Sequence, residues 1–200
     1  MKRRYLLQSL AATPAALFGL ATLGGCGENK PAFNAVDITG ADYARDFALA
    51  DHNGQLRHLS DFAGKVVLVF FGYTQCPDVC PTTMSDLAEV KKQLGADGAR
   101  LQVLFVTVDP ERDTPSVLKN YMVNFDPTFL ALCPTPAQLV DVARDFKVYY
   151  KKVEGSAPGS YSMDHSAGSY IYDPQGHVRL FARFGGGVAP MVQDLKQLLA

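Results

Sequence analysis

The apolar run Val66-Val67-Leu68-Val69-Phe70-Phe71 has no polar residue alternating with it. Such a run predicts a strand buried on both faces, in the middle of a sheet covered by helices. Upstream, Phe47-Ala48-Leu49 and Leu56-Arg57-His58 flank Asp51-His52-Asn53-Gly54. The Asn-Gly pair predicts a hairpin. Downstream, residues 81–94 carry helical spacing and residues 101–108 read as a second buried strand. Asp113 or Thr114 caps a helix that starts at Pro115 and reaches about Asn124. Residues 129–132 predict a short strand, and Thr135-Pro136 opens a helix reaching Phe146. Tyr170-Ile171-Tyr172 and residues 178–184 form a hairpin through Asp173-Pro174-Gln175-Gly176. Residues 188–199 make a final helix.

Strand–helix alternation after the first hairpin implies parallel pairing with right-handed crossovers. The closing hairpin puts antiparallel strands at one edge. The expected fold class is α/β: a mixed central sheet with helices on both faces, which is the thioredoxin-like architecture. To this are added an N-terminal β-hairpin and an insertion between Val148 and Tyr170. The domain is expected to occupy residues 43–200.

The first residues change the picture of where this domain works. Lys2, Arg3 and Arg4 precede an Ala/Leu-rich stretch that ends in Leu23-Gly24-Gly25-Cys26. This pattern reads as a lipoprotein signal peptide over residues 1–25, cleaved before a lipid-bearing Cys26. Arg3-Arg4 also resembles a twin-arginine export motif. Residues 26–42 are polar and aperiodic and read as a tether. The expected location is the bacterial cell envelope, facing the periplasm, held to the membrane by the lipid. The signal carries three of the 19 basic residues and none of the 20 acidic ones, so the mature chain is mildly acidic. That balance argues against nucleic acid as a partner.

With Cys26 assigned to lipid, Cys76, Cys80 and Cys133 remain. An odd number in an oxidising compartment is no disulfide scaffold, so these are read as working residues. Cys76 and Cys80 lie in Phe71-Gly72-Tyr73-Thr74-Gln75-Cys76-Pro77-Asp78-Val79-Cys80-Pro81, which joins the central strand to its helix. Chemistry in such folds sits at the carboxyl ends of parallel strands. Thiols at a helix start are favoured as thiolates, although Asp78 opposes this. Cysteines four apart converge on one ion or close a reversible disulfide. Two thiolates are too few for structural zinc. Two sulfurs and an imidazole suit Cu(I), and a similar set can hold Cu(II). Of the four histidines, His52, His58 and His177 read as surface residues of turns and strand ends. His165, in a Ser/Gly-rich loop able to reach the cysteine end of the sheet, is the candidate imidazole. Cys133 reads as a small buried hydrophobe and Met84 as core.

The segments Tyr73-Thr74-Gln75-Cys76-Pro77-Asp78-Val79-Cys80-Pro81, Val108-Asp109-Pro110-Glu111-Arg112-Asp113-Thr114-Pro115 and Asp164-His165-Ser166 occur in that order. Together they closely resemble the Sco (SenC/PrrC) family, from about Phe47 to the C-terminus. The resemblance implies copper bound by Cys76, Cys80 and His165, with Asp109 supporting the ligands without binding the metal. It also implies a role in assembling the dinuclear copper centre of cytochrome c oxidase. The implied partners are the oxidase's copper-site subunit, other copper chaperones and a thiol reductant. Cys133 departs from the family pattern.

Two functions of different class use the same thiols. One is a copper metallochaperone. The other is a thiol–disulfide reductase that keeps the oxidase's copper-site cysteines reduced, or a redox signalling protein, with Cys76 and Cys80 as its reversible pair. His165 separates them, because dithiol exchange needs no imidazole whereas trigonal copper does.

Overall fold

The computed structural model describes residues 32–200. The signal peptide and Cys26 lie outside the described residues. The domain begins earlier than position 43. Strand β1 (Val36–Asp37) joins the main sheet. Just before it, the backbone N–H groups of Asn34 and Ala35 donate to the buried Asp194 carboxylate at 2.9 and 2.8 Å. Residues 32–42 were expected to be tether because their polarity shows no period. What fixes them is pairing and a carboxylate supplied by the far end of the chain.

The hairpin β2 (Leu49–Ala50) and β3 (Leu56–Arg57) forms as expected. It does more than decorate the edge. The N–H of His52 donates to Ala131 O at 2.9 Å, and that of Cys133 donates to Ala50 O at 2.8 Å. His52 Nδ1 accepts from the N–H of Ala131 at 3.1 Å, so His52 is a structural residue rather than a free surface one. These bonds cover an otherwise open strand edge.

Strands β4 (Val66–Gly72) and β5 (Leu101–Thr107) are buried at all fourteen positions, which is why neither sequence alternates. Between them runs α1 (Val79–Gln93), then a 3₁₀ turn over Gly95–Arg100. Helix α2 (Pro115–Met122) is capped by Thr114, whose hydroxyl accepts from the N–H of Val117 at 3.4 Å. This leaves Asp113 free to turn inward. Strand β6 (Leu130–Leu132) leads to α3 (Pro136–Asp145), which starts with a Thr135/Gln138 capping box.

The insertion is not a loop. It forms a two-stranded antiparallel sheet of β7 (Tyr150–Glu154) and β8 (Tyr161–His165), with Tyr150 opposite His165. Strands β9 (Gly168–Tyr172) and β10 (Val178–Arg183), then α4 (Val188–Leu199), complete the chain.

The main sheet has the order β1-β10-β9-β4-β5-β6. Strands β4, β5 and β6 are parallel, and β9, β10 and β1 are antiparallel on the other side. Phe71 packs on Phe146, at the end of α3, with ring centroids 5.2 Å apart. Phe70 points to the opposite face and meets Phe105, which in turn meets Tyr121 of α2. Helices therefore cover both faces, in the thioredoxin-like arrangement. Each fully buried Val, Leu or Phe of these strands contributes about 1.5–3 kcal/mol. The sheet is thus a stiff platform for the loops at its carboxyl end.

Candidate metal centre

Strands β4 and β5 run in parallel and end at the same side, Gly72 opposite Thr107. The loops that follow, residues 73–78 and 108–114, therefore lie side by side. The first carries Cys76 and leads into α1, whose second residue is Cys80. Asp78 occupies the cap position but its side chain makes no capping bond to the backbone. Cys76 takes that role: its Sγ accepts the N–H of Cys80 at 3.3 Å.

Cys80 is fully buried. Burial, the largest cause, pushes its thiol well above the usual range, despite an opposing backbone bond at Tyr73. Its Sγ lies 3.5 Å from His165 Nε2. On the other side of the ring, His165 Nδ1 is 3.0 Å from Ser166 O. A carbonyl oxygen only accepts, so Nδ1 carries the proton and Nε2 presents its lone pair to the cysteines. Burial lowers the imidazole pKa, offset in part by the Ser166 carbonyl and Asp164, and so favours this neutral form. Phe70 and Tyr73 hold the ring edge-on, at centroid distances of 6.2 and 5.9 Å.

One donor atom from each of Cys76, Cys80 and His165 lies within 4.8 Å of the others. Among the described residues this is the one group of three or more His, Cys, Asp or Glu side chains so arranged. A trigonal ion bonded at about 2.3 Å to sulfur and 2.0–2.1 Å to nitrogen sets its donors about 4 Å apart. The trio fits such an ion after shifts of a few tenths of an ångström. All three cysteines of the described residues are free thiols.

Asp109 was expected beside the ligands. It makes no hydrogen bond to any of the three. Its carboxylate accepts from Arg112 Nε and, at 2.9 Å, from the Tyr161 hydroxyl. Asp113 lies closer to the cysteine loop: it accepts from the N–H of Thr74 at 3.1 Å and from the hydroxyls of Thr74 and Thr107 at 2.5 and 2.6 Å. Two buried side-chain polar atoms of the described residues lack a partner, Arg112 Nη2 and the Tyr121 hydroxyl. Met84 is fully buried in the core, as expected. Cys133 is half-buried, and burial, followed by the nearby Asp51 and Asp113 charges, pushes its thiol up to about 11.

Gly72 is a functional residue that sequence reasoning did not single out. A Cβ there would stand 2.9 Å from both Cys80 Sγ and Phe105 Cε2, and 3.0 Å from Phe70 Cε1. The absent methyl is the space in which the Cys80 sulfur sits. Gly72→Ala should therefore cost about 1–3 kcal/mol of stability and displace that sulfur. Denaturant melts and copper titration check this; a variant that matches wild type in both contradicts it.

The three thiols also differ in reactivity. Cys76 and Cys133 are both partly buried, but Cys76 takes a helix amide bond whereas Cys133 is held protonated, and Cys80 is fully buried. With the reduced protein at about pH 7.5, iodoacetamide should alkylate Cys76 first, with Cys133 slower by at least about tenfold. The Cys133 rate should then climb about tenfold per pH unit towards about pH 11. Peptide mapping that finds Cys133 labelled first would contradict the assignment.

Comparison with known proteins gives the family of the chain. The SCO1/SenC family model matches residues 36–200. The chain is 41% identical over 133 residues to the mitochondrial SCO2 homologue of Bos taurus, covering 66% of this chain and 50% of that protein. It is 38% identical over 132 residues to an SCO2-like protein of Rickettsia felis, covering 66% and 64%. This chain thus spans between half and two thirds of the length of these relatives. Among solved structures, Bradyrhizobium japonicum ScoI with copper bound superposes with a TM-score of 0.70 at 40% identity, covering 77% of this chain and 98% of that one. Apo Sco1 of Thermus thermophilus gives 0.73 at 37% identity, covering 84% and 98%. With a family match from the first strand to the last residue, this chain belongs to the SCO1/SenC family.

Proposed function

We propose that this protein is a copper metallochaperone that binds one copper ion through Cys76, Cys80 and His165 and assists assembly of the dinuclear copper centre of cytochrome c oxidase. The observation that carries the reading is the convergence of two thiols and a neutral imidazole within 4.8 Å. Soft sulfur donors select Cu(I), and the imidazole completes a trigonal set. A related set with a nitrogen donor also accommodates Cu(II). The copper-bound structure of a relative 40% identical to this chain supports the choice of metal.

Loading has a definite proton balance. Each cysteine gives up its thiol proton to become a ligand, whereas His165 loses none because Nε2 is already free. Asp109 supports the ligands indirectly, through Arg112 and Tyr161. Handover requires the site to be reached from solvent, and Cys76, the less buried of the two sulfurs, provides the edge at which an incoming thiolate can replace it. The accepting partner in this reading is the oxidase's copper-site subunit.

The reading extends to location. Residues 1–25 act as the signal and Cys26 carries the lipid, placing the domain on the periplasmic face of a bacterial envelope membrane. Among the described residues, no helix is long and apolar enough to cross a membrane.

A second reading is favoured by the contrast between the two cysteines. An accessible sulfur next to a helix amide, paired with a buried protonated thiol four residues on, is the arrangement of an attacking and a resolving thiol. A thiol–disulfide reductase acting on the oxidase's copper-site cysteines would use it. Copper titration of the reduced protein is the direct test: one Cu(I) per chain is expected. Reduced protein that takes up none overturns the chaperone reading.

A further inference from the structure

The three ligands come from two separately built parts. Cys76 and Cys80 belong to the loop and helix that follow β4, on the rigid main sheet. His165 is the last residue of β8, in a small sheet of its own. Strand β7 is solvent-exposed from Lys151 to Glu154, and the hairpin's apolar anchors are few: Met163 is buried, and Tyr150 and Tyr161 pack partly against the core. Phe70 and Tyr73 steady the imidazole ring itself; polar contacts complete the attachment of the hairpin that carries it.

Arg112 is the side chain that joins both parts by hydrogen bonds from one guanidinium nitrogen. Its Nη1 donates to Gln75 Oε1 at 3.1 Å, next to Cys76, and to Tyr161 O at 2.8 Å, at the start of β8. Its guanidinium lies 3.5 Å from the Tyr161 ring centroid and 5.8 Å from that of Tyr73. Tyr73 in turn packs edge-on against His165. The buried Asp109 carboxylate anchors Arg112 through Nε and binds the Tyr161 hydroxyl, locking the two together. Lys152 of β7 adds a contact over the outer face of Tyr161 at 3.9 Å and pairs with Glu111 at 3.1 Å.

We infer that Arg112 is a positioning residue for the metal centre: it clamps the β7–β8 hairpin to the cysteine loop and thereby holds His165 at bonding range of Cys76 and Cys80. A guanidinium suits the task because its planar fork serves several acceptors at once and stacks on aromatic rings. The unpartnered, buried Nη2 is a cost to stability.

The inference rests on the copper reading of the site, and the test separates the two. The full chain, extracted in mild detergent, is compared with Arg112→Ala, Arg112→Lys, His165→Ala and the Arg112→Ala/His165→Ala double variant. Arg112→Ala should lower Cu(I) affinity about 10–100-fold, and Arg112→Lys should restore only part of it. In the His165→Ala background, Arg112→Ala should have no further effect, because the residue it positions is gone. Equal losses in both backgrounds would overturn the inference.

Hydrogen exchange of the copper-free protein gives a readout independent of metal. Arg112→Ala should speed exchange of the β7–β8 amides at least about tenfold and leave β4 and β5 protected. Unchanged exchange in the hairpin would also overturn the inference. Should Arg112→Ala fail to fold, Gln75→Ala removes one prong at an exposed side chain. It should weaken copper binding in the wild-type background alone; weakening in both backgrounds counts against the clamp. Wild-type protein that binds no copper ends the chaperone reading, while the exchange arm still decides whether Arg112 holds the hairpin.

Discussion

Cys76→Ser and Cys80→Ser should each leave a folded protein whose Cu(I) affinity has fallen by more than about a thousandfold, about 4 kcal/mol. His165→Ala should lower it by about a hundredfold, about 3 kcal/mol, and change the Cu(II) spectrum. The ranking follows from the donors. A serine hydroxyl replaces a soft, ionisable sulfur with a hard group that stays protonated, so each cysteine variant loses a ligand and a negative charge together. Loss of the imidazole leaves both thiolates and no change in charge, because the ring is neutral with its proton on Nδ1. Fold should survive in all three. Serine nearly matches cysteine in shape, and His165 lies at the edge of the small β7–β8 sheet rather than in the main core. Competition titration against a chromophoric Cu(I) chelator gives the affinities, and thermal melts of the copper-free proteins check the fold. Undiminished affinity in His165→Ala would remove it from the ligand set. Oxidising wild-type protein to a Cys76–Cys80 disulfide should block uptake as completely as either serine, since the bonded sulfurs no longer act as thiolates.

Where burial wrote a pattern into the sequence, the fold was legible. Strands β4 and β5 are buried on both faces, and their unbroken apolar runs announced them. Thr114-Pro115 and Thr135-Pro136 marked two helix starts because capping is a local interaction between neighbours. The cysteine pair was legible for the same reason, since its spacing and its place after a buried strand are both local. The β7–β8 hairpin was not legible. Tyr150-Lys151-Lys152-Val153-Glu154 has no buried face to impose alternation, and what fixes it lies some forty to fifty residues away at Arg112 and Glu111. His165 could therefore be proposed as a ligand from its loop and from family resemblance, but not placed on a strand. His52 and the segment around β1 follow the same rule: their partners, Ala131, Asp194 and β10, are distant in sequence. Gly72 carried no signal beyond its position, because its role is the absence of a methyl group beside Cys80.

In a cell whose oxidase depends on this protein, His165→Ala should abolish oxidase assembly nearly as fully as Cys76→Ser or Cys80→Ser. A copper carrier needs all three donors to hold the ion in one site and release it by ligand exchange. A thiol reductase needs only the two sulfurs. Its electron balance is complete without metal: the Cys76 thiolate attacks the target disulfide and releases one target thiol. Cys80 then attacks the mixed disulfide, freeing the second target thiol and leaving Cys76 and Cys80 joined. The two electrons come from this dithiol, and an external thiol reductant must restore it. His165 takes no part in these bonds, so under the reductase reading His165→Ala keeps most activity while both cysteine variants lose it. Excess copper in the medium gives a second, independent separation. Mass action can load the oxidase site without a carrier, but copper does not reduce an oxidised target. The expected result is loss of oxidase activity in all three variants, with partial recovery in all three on adding copper. Normal activity in the His165→Ala strain, with failure in both cysteine strains and no recovery on adding copper, would assign the protein to thiol–disulfide exchange instead.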